Sequence, residues 1–270
     1  MAVLDSGFWH LMSFATNTGA PPWQLTVYAL NNAAFLALLV RLVSIRIVRT
    51  YPALTGWLIV NLFGAGTAWA IPMDFDAFRW LYVVGESFNL IFFSWMVFQL
   101  YTGVLESYPG IASLARRVIQ VILPLSVIGS LCLLPFEVTP RGPVTLTYLV
   151  SRTLIAALAL FVLMITAFMV WFPVRVHRNA MIYSIGFALF LVPKAASMFL
   201  TNSLHAAYWF GGVVTMIACT MCLLLWTVGL RRSGETTYLS PGRVFHPADE
   251  ARLLAQLESV NRTLLRARTK

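Results

Sequence analysis

Seven long apolar stretches dominate this sequence, and they constrain its fold more than any other feature. They lie at about 24–45, 52–71, 79–103, 114–134, 143–172, 179–201 and 207–230. A membrane-spanning helix needs ~20 mostly apolar residues, because each residue rises ~1.5 Å and the hydrocarbon layer is ~30 Å thick. The stretches lack the alternation of polar and apolar residues that marks a membrane β-strand. The pattern therefore predicts an all-α transmembrane fold, a seven-helix bundle.

The composition argues against a soluble enzyme. Hydrophobic residues make up 59% of the chain and charged residues 11%, whereas soluble domains average ~45–50% and ~25%. Neither the G-x-S-x-G motif of hydrolases nor the phosphate-binding G-x-x-x-x-G-K-S/T motif occurs. The four histidines are scattered among predicted loops and tails, which does not suit a metal site. We expect no catalytic residues, no metal and no cofactor, and hence a protein that is not an enzyme.

The distribution of basic residues predicts the orientation of the chain. Fifteen basic residues lie in the first, third and fifth predicted loops, at the adjoining helix ends and in the C-terminal tail, whereas only Arg79 and Arg141 lie in the loops of the opposite side. Because loops rich in Lys and Arg stay in the cytoplasm, we expect a multi-pass plasma (inner) membrane protein with its N-terminus outside and its C-terminus inside. The same bias explains most of the net charge of +9, so nucleic acid is not an expected partner.

The predicted organisation has four parts. An outer or interfacial tail (1–23) precedes the transmembrane domain (24–230), and a linker (231–245) leads to a cytoplasmic amphipathic, coiled-coil-like helix (246–270). That helix has apolar residues in a 4-3-4 spacing at Leu253, Leu257, Val260 and Leu264. It resembles the short signalling helix that follows the membrane region of bacterial sensor kinases. We expect it to bind a cytosolic protein, to self-associate or to lie on anionic lipid.

Three ionisable residues lie inside the predicted spans: Glu86, Arg152 and Lys194. A charge at the centre of a bilayer costs at least ~2.5–3.5 kcal/mol, so such residues face the protein interior and find partners. Given the predicted orientation, all three lie ~10–14 Å below the outer end of their helices. The sequence therefore predicts one charged layer, formed by three helices in the outer half of the membrane.

Polar neighbours support an inward-facing site at this depth. Asn89 follows Glu86 by three residues, Tyr148 precedes Arg152 by four, and Ser197 follows Lys194 by three, so each pair shares a helical face. Asn31 in the first span lies at a similar depth. Pro193, directly before Lys194, predicts a kink there. Our candidate ligand-binding residues are Glu86, Asn89, Tyr148, Arg152, Lys194, Ser197 and Asn31.

Two interpretations of this layer compete, and a proton or ion pathway is a third. In one, Glu86 pairs with Arg152 or Lys194 and the ions only hold the bundle together. In the other, the layer lines an outer-leaflet pocket, where one acid and two bases leave a charge of about +1 for a small anionic or amphiphilic ligand. We favour a sensory or receptor-like protein. The alternatives are a transporter, a carrier of solutes or lipids, and a structural subunit of a membrane complex.

Three positions give the chain a weak family likeness. A Tyr-Pro pair opens the second span (Tyr51 and Pro52), the third contains Glu86, and the fifth contains Arg152. In these features the chain resembles a loosely defined set of uncharacterised bacterial seven-helix integral membrane proteins. The resemblance implies a bacterial seven-helix fold and carries no activity.

Overall fold

The computed structural model describes residues 22–70, 75–106, 108–133, 143–171, 176–203, 208–239 and 247–268. Nearly all of them are helical. The α-helices in these ranges are α1 (Pro22–Ser44), α2 (Pro52–Ala70), α3 (Phe75–Val104), α4 (Pro109–Leu133), α5 (Pro143–Trp171), α6 (Arg178–Ser203), α7 (Tyr208–Gly229) and α8 (Pro247–Arg268). A 3-10 helix (Arg232–Glu235) follows α7, and strand β1 (Val176–His177) pairs antiparallel with β2 (Tyr238–Leu239).

Proline marks where several of these helices begin. Its fixed φ suits the first helical position, and its missing N–H is not needed there. The sequence uses this device in five helices: α1, α2, α4, α5 and α8. Two further prolines, Pro124 and Pro193, lie within α4 and α6, where each removes a backbone hydrogen bond.

In the part of the chain that the structure describes, six helices are long and apolar enough to cross a membrane: α1, α3, α4, α5, α6 and α7. Large apolar side chains point outward along them, among them Leu36, Ile91, Leu160 and Phe199, each at least 54% exposed. An outer surface of this kind suits acyl chains rather than water. The chain is thus an all-α protein with several helices able to span a bilayer, as the sequence predicts.

Six helices form a closed ring in which each packs against its neighbours, in the order α1, α2, α3, α5, α6, α7 and back to α1. Helix α3 also contacts α6 across the ring interior. Helix α4 lies outside, against α5 and α3, and α8 packs on α4. Only 6% of the apolar stretch of α4 is buried, against 44% in α6. Any site shared by several helices therefore lies inside the six-helix ring.

Loop contacts close one end of the bundle. At one end the α1–α2 loop (45–51) meets the segment after α7 (230–239), and we call this the linker end. Here the β1–β2 pair, together with a hydrogen bond from the Arg178 amide to the Thr237 carbonyl, attaches the segment to the start of α6. Residues 1–21, in the predicted N-terminal tail, lie outside the described ranges, and so do residues 240–246, which cover the end of the predicted linker and the first residue of the predicted C-terminal helix.

Candidate functional site

A buried ion pair joins α3 and α6 inside the ring. Lys194 Nζ lies 3.1 Å from Glu86 Oε1, and the two residues are 7% and 2% exposed. Because both side chains are almost fully withdrawn from solvent, each charge depends on the other, and removing one partner of such a pair typically costs ~3–5 kcal/mol. The structure thus brings together two of the three ionisable residues that the sequence singles out.

Aromatic rings complete the surroundings of the ammonium group. Lys194 Nζ lies 5.1 Å from the ring centroid of Phe93 and 5.8 Å from that of Phe190. A cation near a ring face gains electrostatic energy, more so when it is desolvated. The ring faces and the Glu86 carboxylate together make up for the lost hydration of Lys194.

Arg152 lies half-buried on α5, close to the level of this pair. The hydroxyl of Tyr148 donates to the Met198 carbonyl oxygen at 2.9 Å and so fixes the register of α5 against α6. Arg152 follows Tyr148 by one turn, and Lys194 precedes Met198 by one turn. Because these two helices run antiparallel, Arg152 and Lys194 lie within about one helical turn of the same height.

Asn89 connects the charged pair to α2. Its Oδ1 accepts hydrogen bonds from the Trp57 indole N–H at 3.0 Å and from Asn61 Nδ2 at 2.9 Å. Asn89 is buried one turn below Glu86 on the same helix. Asn89 is among the residues predicted from the sequence and Asn61 is not, although an asparagine inside an apolar span is a signal that could identify it.

Helices α1 and α7 add a second pair of polar side chains. Thr220 Oγ1 donates to Asn31 Oδ1 at 3.0 Å, and both residues are buried. Cys219, adjacent to Thr220, lies close enough to Lys194 for the two groups to interact electrostatically. Ser197 is half-buried one turn beyond Lys194. All seven predicted site residues therefore lie on ring helices, and each of those helices contributes at least one polar side chain.

These residues, together with the buried Ser151 on α5, form what we call the polar layer: Asn31, Asn61, Glu86, Asn89, Tyr148, Ser151, Arg152, Lys194, Ser197 and Thr220. Two of its donors are fully buried and have no hydrogen-bond partner among the residues that the structure describes, namely Asn31 Nδ2 and the Ser151 hydroxyl. Buried polar groups in native proteins are nearly always satisfied by protein, water or a bound group. The polar layer therefore has donors to spare, and Glu86 is the one acid among its members.

A continuous aromatic stack leads from the polar layer to the linker end. Phe190, which faces Lys194, lies 5.9 Å from Trp57, and Trp57 lies 6.4 Å from Trp226. Tyr183 follows at 5.2 Å from Trp226, and Tyr51 at 5.2 Å from Tyr183. Ring contacts of 4.5–7 Å are favourable and directional. The polar layer and the linker end are thus joined by rigid side chains.

A second polar site, the linker cluster, lies where this stack ends. Glu235 Oε1 accepts from the Tyr51 hydroxyl at 2.8 Å and from Asn179 Nδ2 at 2.6 Å. Asn179 also binds the Arg231 backbone, donating to its carbonyl at 2.7 Å and accepting from its amide at 3.2 Å. Burial, together with the charge and hydrogen bond of Glu235, raises the pKa of Tyr51 above its ordinary value. Tyr51 therefore stays protonated and remains a donor.

Glycine is required at one position of the linker cluster. A Cβ on Gly234 would collide with the side-chain amide of Asn179. The linker cluster is not predicted from the sequence, because Tyr51, Asn179 and Glu235 lie far apart in the chain and in segments where polar residues are common.

Comparisons with protein-family models, curated proteins and solved structures give no match to this chain. The polar layer, the aromatic stack and the linker cluster are therefore the features from which a function can be inferred.

Proposed function

We propose that this protein is a sensory or receptor-like membrane protein that binds a small anionic or amphiphilic ligand in the polar layer. The observation that carries the proposal is the buried Glu86–Lys194 pair, which lies in the same layer as two buried polar groups without a partner among the described residues, Asn31 Nδ2 and the Ser151 hydroxyl. A carboxylate or similar anion offers several acceptor lone pairs and a negative charge. It would supply acceptors for the Ser151 hydroxyl and for Asn31 Nδ2.

The membrane arrangement is part of the same proposal. We place seven spans, with α2 as the seventh, because its 19 residues extend about 28 Å and pack between α1 and α3. The basic residues put the linker end in the cytoplasm and the polar layer in the outer half of a bacterial plasma membrane. A ligand would then arrive from outside, and α8 would lie inside.

The aromatic stack supports a relay between the two ends. A ligand that draws Lys194 toward itself would move the ammonium group relative to Phe93 and Phe190. Phe190 packs on Trp57, and the stack continues to Tyr51, which holds Glu235. Because packed cores switch between discrete arrangements rather than deforming smoothly, a shift at one end can change the contacts at the other.

The test is ligand-induced stabilisation of the purified protein in detergent, with octanoate as the anionic probe and octanol as its neutral match. At a concentration of about 100 times its Kd, octanoate should raise the midpoint of thermal unfolding by about 3 °C or more, and octanol should have no such effect. Arg152→Gln and Lys194→Met should abolish the rise, whereas Arg116→Gln, at an exposed arginine of α4, should keep it.

Two outcomes would overturn the ligand proposal. One is that neither octanoate nor a panel of smaller carboxylates shifts the wild-type midpoint. The other is that the shift persists unchanged in the Arg152 and Lys194 variants, which would leave the ion pair as a structural element only. Uptake of the probe into proteoliposomes would instead favour the alternative, a transporter.

A further inference from the structure

Helix α8 is held against the first turn of α4. Asn261 Oδ1 accepts hydrogen bonds from the backbone amides of Gly110 at 2.7 Å and Ile111 at 3.4 Å. These amides belong to the helix start, where N–H groups lack partners within their own helix. A Cβ on Gly110 would collide with Asn261, so only glycine permits this approach. The C-terminal helix thus supplies the cap that the α4 sequence lacks.

The apolar stripe of α8 is wider than the surface that α4 covers. Leu257 is 5% exposed and is the one fully buried apolar residue of α8 whose side chain the structure describes. Val260 is 52% exposed, and four leucines beside the contact are only half-buried: Leu253, Leu254, Leu264 and Leu265. In the predicted 4-3-4 spacing, Val260 follows Leu257 in the contact surface of the helix. In the structure Asn261 contacts α4 instead, and Val260 is exposed. Part of the stripe remains for another apolar surface.

The opposite face of α8 is basic. At 3.6 residues per turn, Arg252, Arg262 and Arg266 lie on the side of the helix away from Leu257, and all three are exposed. Glu258 forms an ion pair with Arg262 at 2.5 Å. An apolar stripe backed by arginines is the pattern of a helix that lies in the interface of an anionic bilayer.

The position of α8 supports a lipid partner over a soluble one. Its contact at Gly110 and Ile111 is with the first residues of a candidate membrane span that runs from Pro109 to Gly129. Helix α8 therefore lies where that span leaves the bilayer. At this height the uncovered leucines can reach acyl chains while the arginines reach phosphates.

We propose that α8 is an interfacial helix that binds anionic phospholipid headgroups. Helix α4 fixes its position through Asn261 and Leu257, the flanking apolar residues enter the acyl boundary, and the three arginines bind lipid phosphates. This proposal is independent of any ligand in the polar layer.

The test compares the full-length protein in nanodiscs of phosphatidylcholine alone and of phosphatidylcholine with 30% phosphatidylglycerol. The reporter is Val260→Cys in a Cys132→Ser background, reacted with a membrane-impermeant maleimide, since Cys219 and Cys222 are buried. We expect modification to slow by roughly 5-fold or more in the anionic discs. Thr236→Cys, exposed in the linker, should react equally in both.

Replacing Arg252, Arg262 and Arg266 together by Gln should abolish the slowing, whereas replacing Arg231 and Arg232 by Gln should preserve it. Because all three α8 arginines are exposed, the triple variant should fold. A second check needs no mutation of the arginines: 0.5 M NaCl should screen their attraction to the lipid and abolish the slowing. Equal rates in the two discs, or slowing that survives in the triple variant, would overturn the proposal. So would protection that requires added polyglutamate, since that would assign the surface to an acidic protein.

Discussion

The two polar sites of this molecule are built in opposite ways. In the polar layer a full ion pair, Glu86 with Lys194, is buried between two helices and depends on aromatic rings and one partner. In the linker cluster a partly exposed carboxylate, Glu235, accepts from the neutral groups of Tyr51 and Asn179. The first site is costly to disturb, and the second is adaptable. This difference suits the proposed relay, in which a ligand-driven shift of Lys194 would change the contacts of the more adaptable linker cluster.

The largest effect should come from reversing charge in the polar layer. Lys194→Glu places two carboxylates against each other in a buried site, where like charges repel strongly. We expect the yield of folded protein, measured by size-exclusion chromatography after extraction, to fall by about 10-fold or more. The exchange Glu86→Lys with Lys194→Glu should recover much of it. Equal yields from the single reversal and the wild type would contradict the burial of this pair.

A smaller loss is expected where the polar layer meets α2. Asn89→Ala removes the acceptor of the Trp57 indole N–H and leaves that donor buried. An unsatisfied buried donor costs ~1–3 kcal/mol. Chemical unfolding should show this loss, and the tryptophan emission should shift because the Trp57 indole loses its hydrogen-bond partner. Ser87→Ala, at an exposed neighbouring position of α3, is the matched control and should change little.

Substitutions in the linker cluster should destabilise the protein less than substitutions of the buried ion pair. Glu235→Ala removes two hydrogen bonds that lie partly in reach of water, so the expected loss is about 1–2 kcal/mol in the free energy of unfolding. Hydrogen exchange at residues 231–239 should rise, while exchange within α3 and α6 near the polar layer should stay unchanged. Equal acceleration at both sites would mean that the two clusters unfold as one unit.

The smallest effect concerns alkaline pH. Because the pKa of Tyr51 is raised in the folded protein, the unfolded chain loses this proton first as pH rises above ~10. Stability from Tyr51 is therefore present below pH ~10 and decreases above it. Tyr51→Phe should make the decrease in melting midpoint between pH 9 and 11 shallower. A steeper decrease in the variant would contradict the protonated role of Tyr51.

The sequence predicts the polar layer better than the linker end for a physical reason. A charge in an apolar span is costly unless it has a partner at the same depth. Glu86 and Lys194 must therefore each find such a partner, and the structure pairs them with each other. The sequence does not decide whether Arg152 or Lys194 is the partner of Glu86, because that choice depends on which helix α3 faces. The all-α membrane fold follows directly from the length of the apolar stretches.

The linker end could not be predicted in the same way. In water-exposed segments a polar side chain is unremarkable, so nothing marks Asn179, Glu235 or Asn261 as contact residues. The first half of the predicted linker forms a 3-10 helix and a strand that pairs with residues before α6. These contacts depend on segments that are distant in sequence, and only the packed helices bring them together.

The buried ion pair of Glu86 and Lys194 is central to the proposed site, and a double-mutant cycle tests directly whether the two residues act as a pair. Unfolding free energies would be measured for the wild type, Glu86→Leu, Lys194→Met and the double variant. The account predicts that each single variant loses ~3–5 kcal/mol, that the double variant loses clearly less than the sum, and that the coupling is about 1–3 kcal/mol. Additive losses, with a coupling near zero, would contradict it.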